Sequence, residues 1–380
     1  MIPLRIVADR HIWHVEDAFS CLKGYNVALK VVEADDITTG SLRHADVLLT
    51  RSSTQVNAAL LASTPVRFVA TATVGDDHID LRYLKESGIA FASAAGSSTG
   101  SVIEYMMTAL LKLQTMNHLS LNEHTLGIIG AGRIGSQLAA LCQSLGIKTL
   151  SSDAPRKNHE SDTCLISLEL MLQQADVLTI HTPLVRSGKH HTHYLINADV
   201  LAKFRGFGII NTARGACVDN HALLDWLNKN QQNWAVLDCW QREPNPDQAL
   251  LQHPRVVIGT PHIAGHSLDG KANNTQYIYN ALCAFLRCPA SWNRQDVLPP
   301  ARPPLVLPKF SNMWDTLSHM AENDYPIMDD HQSICHKADA RSLHAFRHYR
   351  RHYPVRRAWH TCRWLTDDKH TQLLINKLQQ

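Results

Sequence analysis

A chain of 380 residues and 42.5 kDa exceeds one ordinary hydrophobic core, so two or three domains are expected. With 44% hydrophobic and 19% charged residues it reads as folded rather than disordered. Lys+Arg 37 against Asp+Glu 34 leaves a net charge of +3, too small to mark a nucleic-acid binder. The 23 histidines make that charge depend on pH between about 5 and 7.5. The sequence has no apolar run of about 18 residues, so no membrane helix is expected. The opening Met1–Trp13 carries no secretory apolar core. Nine cysteines without a Cys-x-x-Cys pair argue against a disulfide framework or a zinc ribbon. A reduced, cytoplasmic protein is the expectation.

Short apolar runs alternate with helical stretches over the first hundred residues, as in parallel βα units. Strands are predicted at 4–8, 46–50, 67–71 and 89–92, with amphipathic segments at 56–62 and 81–87 and a C-capping Gly88. A Ser/Gly-rich stretch, 94–101, reads as a hinge feeding a long helix over 102–113. A second series begins at Thr125, with strands at 126–129, 148–151, 177–181, 208–211, 234–237 and 256–259. Six strands joined by helical connections make a doubly wound sheet. Leu298-Pro299-Pro300-Ala301-Arg302-Pro303-Pro304 then reads as a stiff linker to a His- and Arg-rich segment with a helix over 340–353.

Gly130-Ala131-Gly132-Arg133-Ile134-Gly135 is a G-x-G-x-x-G placed between a strand and a helix over 134–145. Gly130 permits the tight turn, Gly132 the approach of a pyrophosphate, and Gly135 close helix–strand packing. The helix N-terminus supplies unpaired N–H groups to the phosphates. Asp153 follows Gly135 by 18 residues, where a carboxylate accepts from ribose hydroxyls and repels a 2′-phosphate. NAD is therefore expected over NADP, although Arg156 and Lys157 stand close behind.

Three polar residues fall just past the last strands, where an open α/β sheet places its chemistry. They are Arg214 in Asn211–Gly215, Glu243 in Asp238–Pro244, and His262 in Gly259–Gly265. A guanidinium can hold a carboxylate and the neighbouring C2 oxygen, and an imidazole can take a hydroxyl proton. A carboxylate can orient that imidazole and stabilise its charged form. This set suits the oxidation of a 2-hydroxy acid.

With the glycine fingerprint, His181-Thr182-Pro183-Leu184, Asn211–Gly215, Asp238–Pro244 and Pro261–Gly265, the sequence resembles the D-isomer-specific 2-hydroxyacid dehydrogenase family. The resemblance implies a Rossmann-type NAD-binding domain over 102–265, inserted in a flavodoxin-like α/β substrate domain. That substrate domain would span 1–101 and be completed by about 266–290. A C-terminal α+β dimerisation domain is implied over 291–380. It further implies Arg214, Glu243 and His262 as catalytic residues. NAD would be held by Gly130, Gly132, Arg133, Ile134, Gly135, Asp153, Thr182, Thr212, Ala213, Arg214, Asp238 and Gly265. The loops Arg51–Asn57 and Ala70–Gly75, with the C-terminal extension, are like those of the branch acting on a small phosphorylated 2-hydroxy acid, 4-phospho-D-erythronate. Ser52 and Thr73 would touch that substrate, as would His266, which stands where this branch commonly has Tyr. A homodimer is implied, with no nucleic-acid or membrane partner. The alternatives are another D-2-hydroxyacid dehydrogenase of glycerate or phosphoglycerate type, or an NADH-sensing binding protein without turnover.

No metal site is expected. His262 and His266 have a chelating spacing, but Gly265 would interrupt a helix there. Cys217 reads as a buried structural thiol. On the C-terminal helix, Leu343, Phe346, Tyr349 and Tyr353 form an apolar stripe expected to face a small local core, leaving surface for association to cover. Arg347, Arg350 and Arg351 form its basic face.

Overall fold

The computed structural model describes residues 1–159, 164–335 and 342–379, without side chains at 157–159 and 342–344. Lys157 and Leu343 thus lie outside the described side chains. The chain divides into two compact units: Met1–Gly100 with Ser267–Pro300, and Ser101–His266 with Ala301–Gln380.

The first unit holds a parallel sheet of β1 (Ile2–Asp9), β2 (Tyr25–Val32), β3 (Val47–Thr50), β4 (Phe68–Thr71) and β5 (Ala90–Ser93). Its order, β2-β1-β3-β4-β5, is the flavodoxin-like order, with the topological switch between β1 and β3. β3 and β4 are buried on both faces, which explains their unbroken apolar runs. β2 has no counterpart among the predicted strands. It is an edge strand whose exposed face carries Asn26, Ala28 and Lys30, so it offers no continuous apolar run. The segment predicted as helical over 56–62 is helical only at Ala58–Leu61, because Val56 pairs with Ile79 and Asn57 caps the turn by accepting from Leu60 N–H. The helix Leu268–Leu286 packs Ile278, Tyr279 and Leu282 into one core with Leu4, Ile6, Phe19 and Phe68.

The second unit holds β6 (Thr125–Ile129), β7 (Lys148–Ser152), β8 (Val177–Ile180), β9 (Gly208–Asn211), β10 (Trp234–Leu237) and β11 (Val256–Gly259). All six are parallel, in the order β11-β10-β9-β8-β6-β7. The chain reverses direction across the sheet between β6 and β8, and ligands of such sheets bind outside the strand ends at that point. The helix Thr99–Thr115 contributes Tyr105, Met106, Leu110 and Leu113 to the core beneath.

Residues 301–380 belong to the same core. Trp314, Leu317, Met320, Trp359, Trp364 and Ile375 cluster with Tyr105, Leu110, Leu138 and Val236. The Arg356 guanidinium donates to the Glu104 carboxylate at 2.9 Å, both side chains being at least nine-tenths buried, and Trp359 N–H donates to the same group at 2.8 Å. The segment comprises the helices Met313–Asp324, Ile327–Ile334, Ser342–Arg351 and Lys369–Leu378, with β12 (Leu305–Val306) and β13 (Trp364–Leu365) paired in parallel.

The apolar stripe on Ser342–Arg351 is a correction to the sequence reading. Phe346 is 1% exposed in the core that holds Trp240, Leu251 and Cys335, and Tyr353 is 8% exposed. Phe346 and Tyr353 are therefore covered by the chain itself. The reason is that the helix packs on Ile327–Ile334, which packs on β11.

This sharing of one core gives a test. Leu317→Ala, at a fully buried C-terminal position, is expected to cost about 2–5 kcal/mol. Urea titration followed by near-UV circular dichroism checks it, and a loss under 1 kcal/mol would mean that the segment packs independently.

Candidate active site

The glycine loop leaves β6 through Gly130, whose N–H donates to Ser152 O at 2.8 Å. Its φ of +95° lies in the left-handed region, and a Cβ there would stand 2.8 Å from the His181 carbonyl oxygen. At Gly135 a Cβ would fall 1.9 Å from Gly130 O, so the helix Arg133–Ser144 can reach the turn only without one. Gly132 differs, since a Cβ there would meet no atom within 4 Å. It is the helix N-cap and supplies no side chain to the first-turn N–H groups. Open space before uncapped donors fits a pyrophosphate.

Asp153 follows β7, and its carboxylate accepts from Ala131 N–H at 3.0 Å and from Arg156 N–H at 3.2 Å. The Arg156 guanidinium donates to Ala131 O at 2.5 Å. The acid thus fixes the glycine loop. Thr182 follows β8 on the other side of the switch, its hydroxyl 3.7 Å from the Cys217 thiol. Cys217 is fully buried, and burial pushes its thiol up.

His262 and Glu243 form a bonded pair. His262 Nδ1 lies 2.7 Å from Glu243 Oε2, while Glu243 Oε1 accepts from Trp240 N–H at 2.7 Å. Because Glu243 accepts, Nδ1 carries the hydrogen and Nε2 is left as the basic nitrogen of a neutral ring. Burial alone would raise the Glu243 carboxyl, but the facing His262, their hydrogen bond and the Arg350 guanidinium outweigh it and hold it below the usual range. The carboxylate is therefore ionised and stabilises an imidazolium.

His262 sits at φ +56°, costly for a residue with a Cβ. The buried Asp238 holds it there. Asp238 O accepts from His262 N–H at 2.8 Å, Oδ1 from Thr260 Oγ1–H and Ile263 N–H, both at 2.7 Å, and Oδ2 from Ala264 N–H at 3.1 Å. Tyr105 donates to Thr260 at 2.7 Å and Trp240 Nε1–H to Thr260 O at 2.8 Å. Gly265 and His266 close the turn, with His266 N–H on Ile263 O. The His266 ring meets the edge of Tyr353 at 6.0 Å, and His262 and His266 do not share a helix.

Arg214 extends from the loop after β9. Asn211 shapes that loop by accepting from Ala213 N–H at 3.1 Å and donating to Arg214 O at 3.0 Å. Gly215 packs against β10's end so closely that a Cβ would lie 1.9 Å from Trp240 O. Asn211 and Gly215 lie in the motif read from the sequence, but the close approach of Trp240 to Gly215 shows only in the fold. Thr212 lies 3.4 Å from His181 Nδ1, and Thr179 lies 2.9 Å from His181 Nε2.

Cys239, Glu243 and His262 offer ligand atoms within 4.8 Å of one another. A metal there would have to break the His262–Glu243 bond. It would also have to ionise a thiol that burial, then Asp238 and Glu243, push well above its usual range. That donor set suits proton transfer better than metal binding.

The expected substrate residues Ser52 and Thr73 belong to the first unit, past the ends of β3 and β4. Ser52 is exposed, and Thr73 donates to Gly75 O at 2.9 Å and bonds the Thr71 hydroxyl. Both stand at the carboxyl edge of the sheet beside its switch point.

Residues 101–264 match the model for the D-isomer specific 2-hydroxyacid dehydrogenase NAD binding domain. The fold is shared with a D-lactate dehydrogenase from Aquifex aeolicus solved with NAD and lactic acid, at a TM-score of 0.62 and 23% identity, over 74% of this chain and 95% of that one. The protein is an NAD-dependent oxidoreductase of the 2-hydroxyacid class. It is 36% identical over 378 residues to the erythronate-4-phosphate dehydrogenase of Proteus mirabilis, covering 99% of this chain and 98% of that protein. The Salinibacter ruber enzyme of that name is 42% identical over 306 residues, 79% of this chain and 76% of that protein. The chain belongs to the erythronate-4-phosphate dehydrogenase family.

His181 supplies a pH test. Burial lowers its imidazole to about 4. A histidine kept neutral when folded gives its full stability above the unfolded value of about 6.5 and loses it as pH falls towards 4. His181→Asn is expected to flatten the stability curve between those pH values in urea titrations. An unchanged slope would mean that His181 binds its proton alike in the folded and unfolded chain.

Proposed function

We propose that this protein oxidises 4-phospho-D-erythronate at C2 to (R)-3-hydroxy-2-oxo-4-phosphooxybutanoate, in the formation of pyridoxal 5′-phosphate. The observation that carries the reading is the His262–Glu243 pair, held in a strained loop at the strand ends of an NAD-binding sheet. Gly130, Gly132, Arg133, Ile134, Gly135 and Asp153 would hold the adenosine diphosphate part of NAD. Thr182, Thr212, Ala213, Arg214, Asp238 and Gly265 would hold the rest. NAD supplies the acceptor for the hydride leaving C2.

The chain's own residues do the remaining work. Arg214 holds the substrate carboxylate and the C2 oxygen in its fork. His262 Nε2 takes the C2 hydroxyl proton, and Glu243 stabilises the imidazolium that forms. The Nδ1 hydrogen bond keeps the ring in the tautomer that leaves Nε2 free to accept. Ser52, Thr73 and His266 contact the substrate. A cytoplasmic homodimer is part of the proposal. The C-terminal segment leaves Val306 at 77%, Val355 at 73% and Leu373 at 60% exposure, surface that a second copy would cover.

The test is steady-state turnover with a panel of 2-hydroxy acids, together with light scattering. The full chain should scatter as a dimer and use 4-phospho-D-erythronate at least ~100-fold more efficiently than D-erythronate, the scale for losing a buried polar partner. Preference for D-glycerate or 3-phospho-D-glycerate would give the reaction to the neighbouring dehydrogenases, and a monomer would remove the dimer. His262→Ala should lower kcat by ~100- to 10,000-fold while NADH affinity stays nearly constant. A variant keeping a tenth of the activity would place the base elsewhere.

A further inference from the structure

We propose that Arg350, from the C-terminal helix Ser342–Arg351, is the residue that receives the phosphate of the substrate and sets the preference for a phosphorylated acid. The inference rests on the reaction proposed above and adds to it the residue that recognises the end of the substrate remote from C2.

The helix places Arg350 by its neighbours. Phe346, one turn earlier on the same face, is buried in the core that includes Trp240, the residue whose N–H holds Glu243. Tyr353, just past the helix end, turns its ring against His266, four residues beyond His262. The hydroxyls of Tyr349 and Tyr353 both donate to Asp330, at 2.6 and 2.8 Å, which pins the end of this helix to Ile327–Ile334. Arg350 thus lies on a helix end whose neighbours on either side, Phe346 and Tyr353, meet the core of Trp240 and the ring of His266.

Its neighbours Arg347 and Arg351 are exposed, as expected of a solvated basic face, but Arg350 is half-buried. Its Nε is buried with no hydrogen-bond partner among the described residues. A guanidinium N–H removed from water without an acceptor is costly, and a tetrahedral dianion offers it the forked, charge-assisted bonds it lacks. The charge of Arg350 also reaches Glu243 and Cys239, so it acts at the reacting end of the site and not on a remote surface. With Arg214 engaged by the carboxylate and the C2 oxygen, a phosphate on C4 needs a second cation.

The experiment uses the full chain with saturating NAD. Initial rates are measured with 4-phospho-D-erythronate and with D-erythronate for the unmodified protein, Arg350→Ala, Arg350→Lys and, as a control on the exposed face, Arg347→Ala. Arg350→Ala should raise KM for the phosphorylated acid and lower its kcat/KM by ~100-fold more than it lowers that for D-erythronate, whose own change reads the effect passed through Glu243. Arg350→Lys should recover part of the loss, and Arg347→Ala should resemble the unmodified protein. Inorganic phosphate, competing with 4-phospho-D-erythronate, gives a second readout and should inhibit the Arg350→Ala protein much less. This readout is also available through Arg350→Lys if the alanine variant does not fold. Equal losses with both acids would overturn the proposal and give Arg350 a role through Glu243 alone, and no loss would overturn it outright. An unmodified protein indifferent to the phosphate would instead show that the substrate assignment had failed.

Discussion

The carboxylate of Asp238 is the constraint on which the site depends. It sits at the end of β10, buried, and gathers three donors from the turn that follows β11. Those bonds, with the one from His262 N–H to Asp238 O, hold a histidine in a left-handed conformation that it would not otherwise choose. The ring is thereby brought onto Glu243, fixed from its other oxygen by Trp240 N–H. Burial raises the Asp238 carboxyl, opposed by His262 first and then by its hydrogen bonds. The geometry of the proton-transfer pair is thus set before any substrate arrives, so little of the reaction barrier has to be spent on orienting it.

Close packing imposes a second constraint around the same sheet end. At Gly135 and Gly215 a Cβ would lie 1.9 Å from a backbone oxygen, Gly130 O in one case and Trp240 O in the other. The first brings a helix N-terminus to the mouth of the switch point, and the second seats the Arg214 loop on the strand that carries Asp238. Both replace side-chain bulk with backbone contact where two loops must converge, and any larger residue would separate them.

Much of this was legible in the sequence for physical reasons. Strands buried on both faces leave continuous apolar runs, so β3, β4, β6 and β8 to β11 stand out by composition, while the half-exposed edge strand β2 does not. The glycine fingerprint is readable because its glycines recur at a fixed spacing within six residues, although Gly130 also makes room for the His181 carbonyl. Glu243 and His262 are readable as residue types past strand ends, but their pairing crosses 19 residues and only folding shows it. The structural duty of Asp238 and the close packing at Gly215 were not legible, because their partners, Thr260 to Ala264 and Trp240, are brought to them only by folding. The C-terminal stripe was visible as a pattern, yet its partner was not. A stripe does not say which core it joins, and here Phe346 joins that of the NAD-binding sheet.

The order in which the chain is made adds a consequence of that shared core. Residues 101–266 are synthesised well before Trp314, Leu317 and Trp359, and the Glu104 carboxylate waits 252 residues for Arg356. Until then, the helix Thr99–Thr115 presents part of its apolar face without a cover, while the intervening 267–300 goes to the other unit. Contacts so distant in sequence make for slow closure, and the waiting surface is the kind that chaperones recognise. The second unit therefore completes its core only once its last residues are made, and a chain ending soon after residue 266 carries the His262–Glu243 pair without the C-terminal cover of the helix Thr99–Thr115.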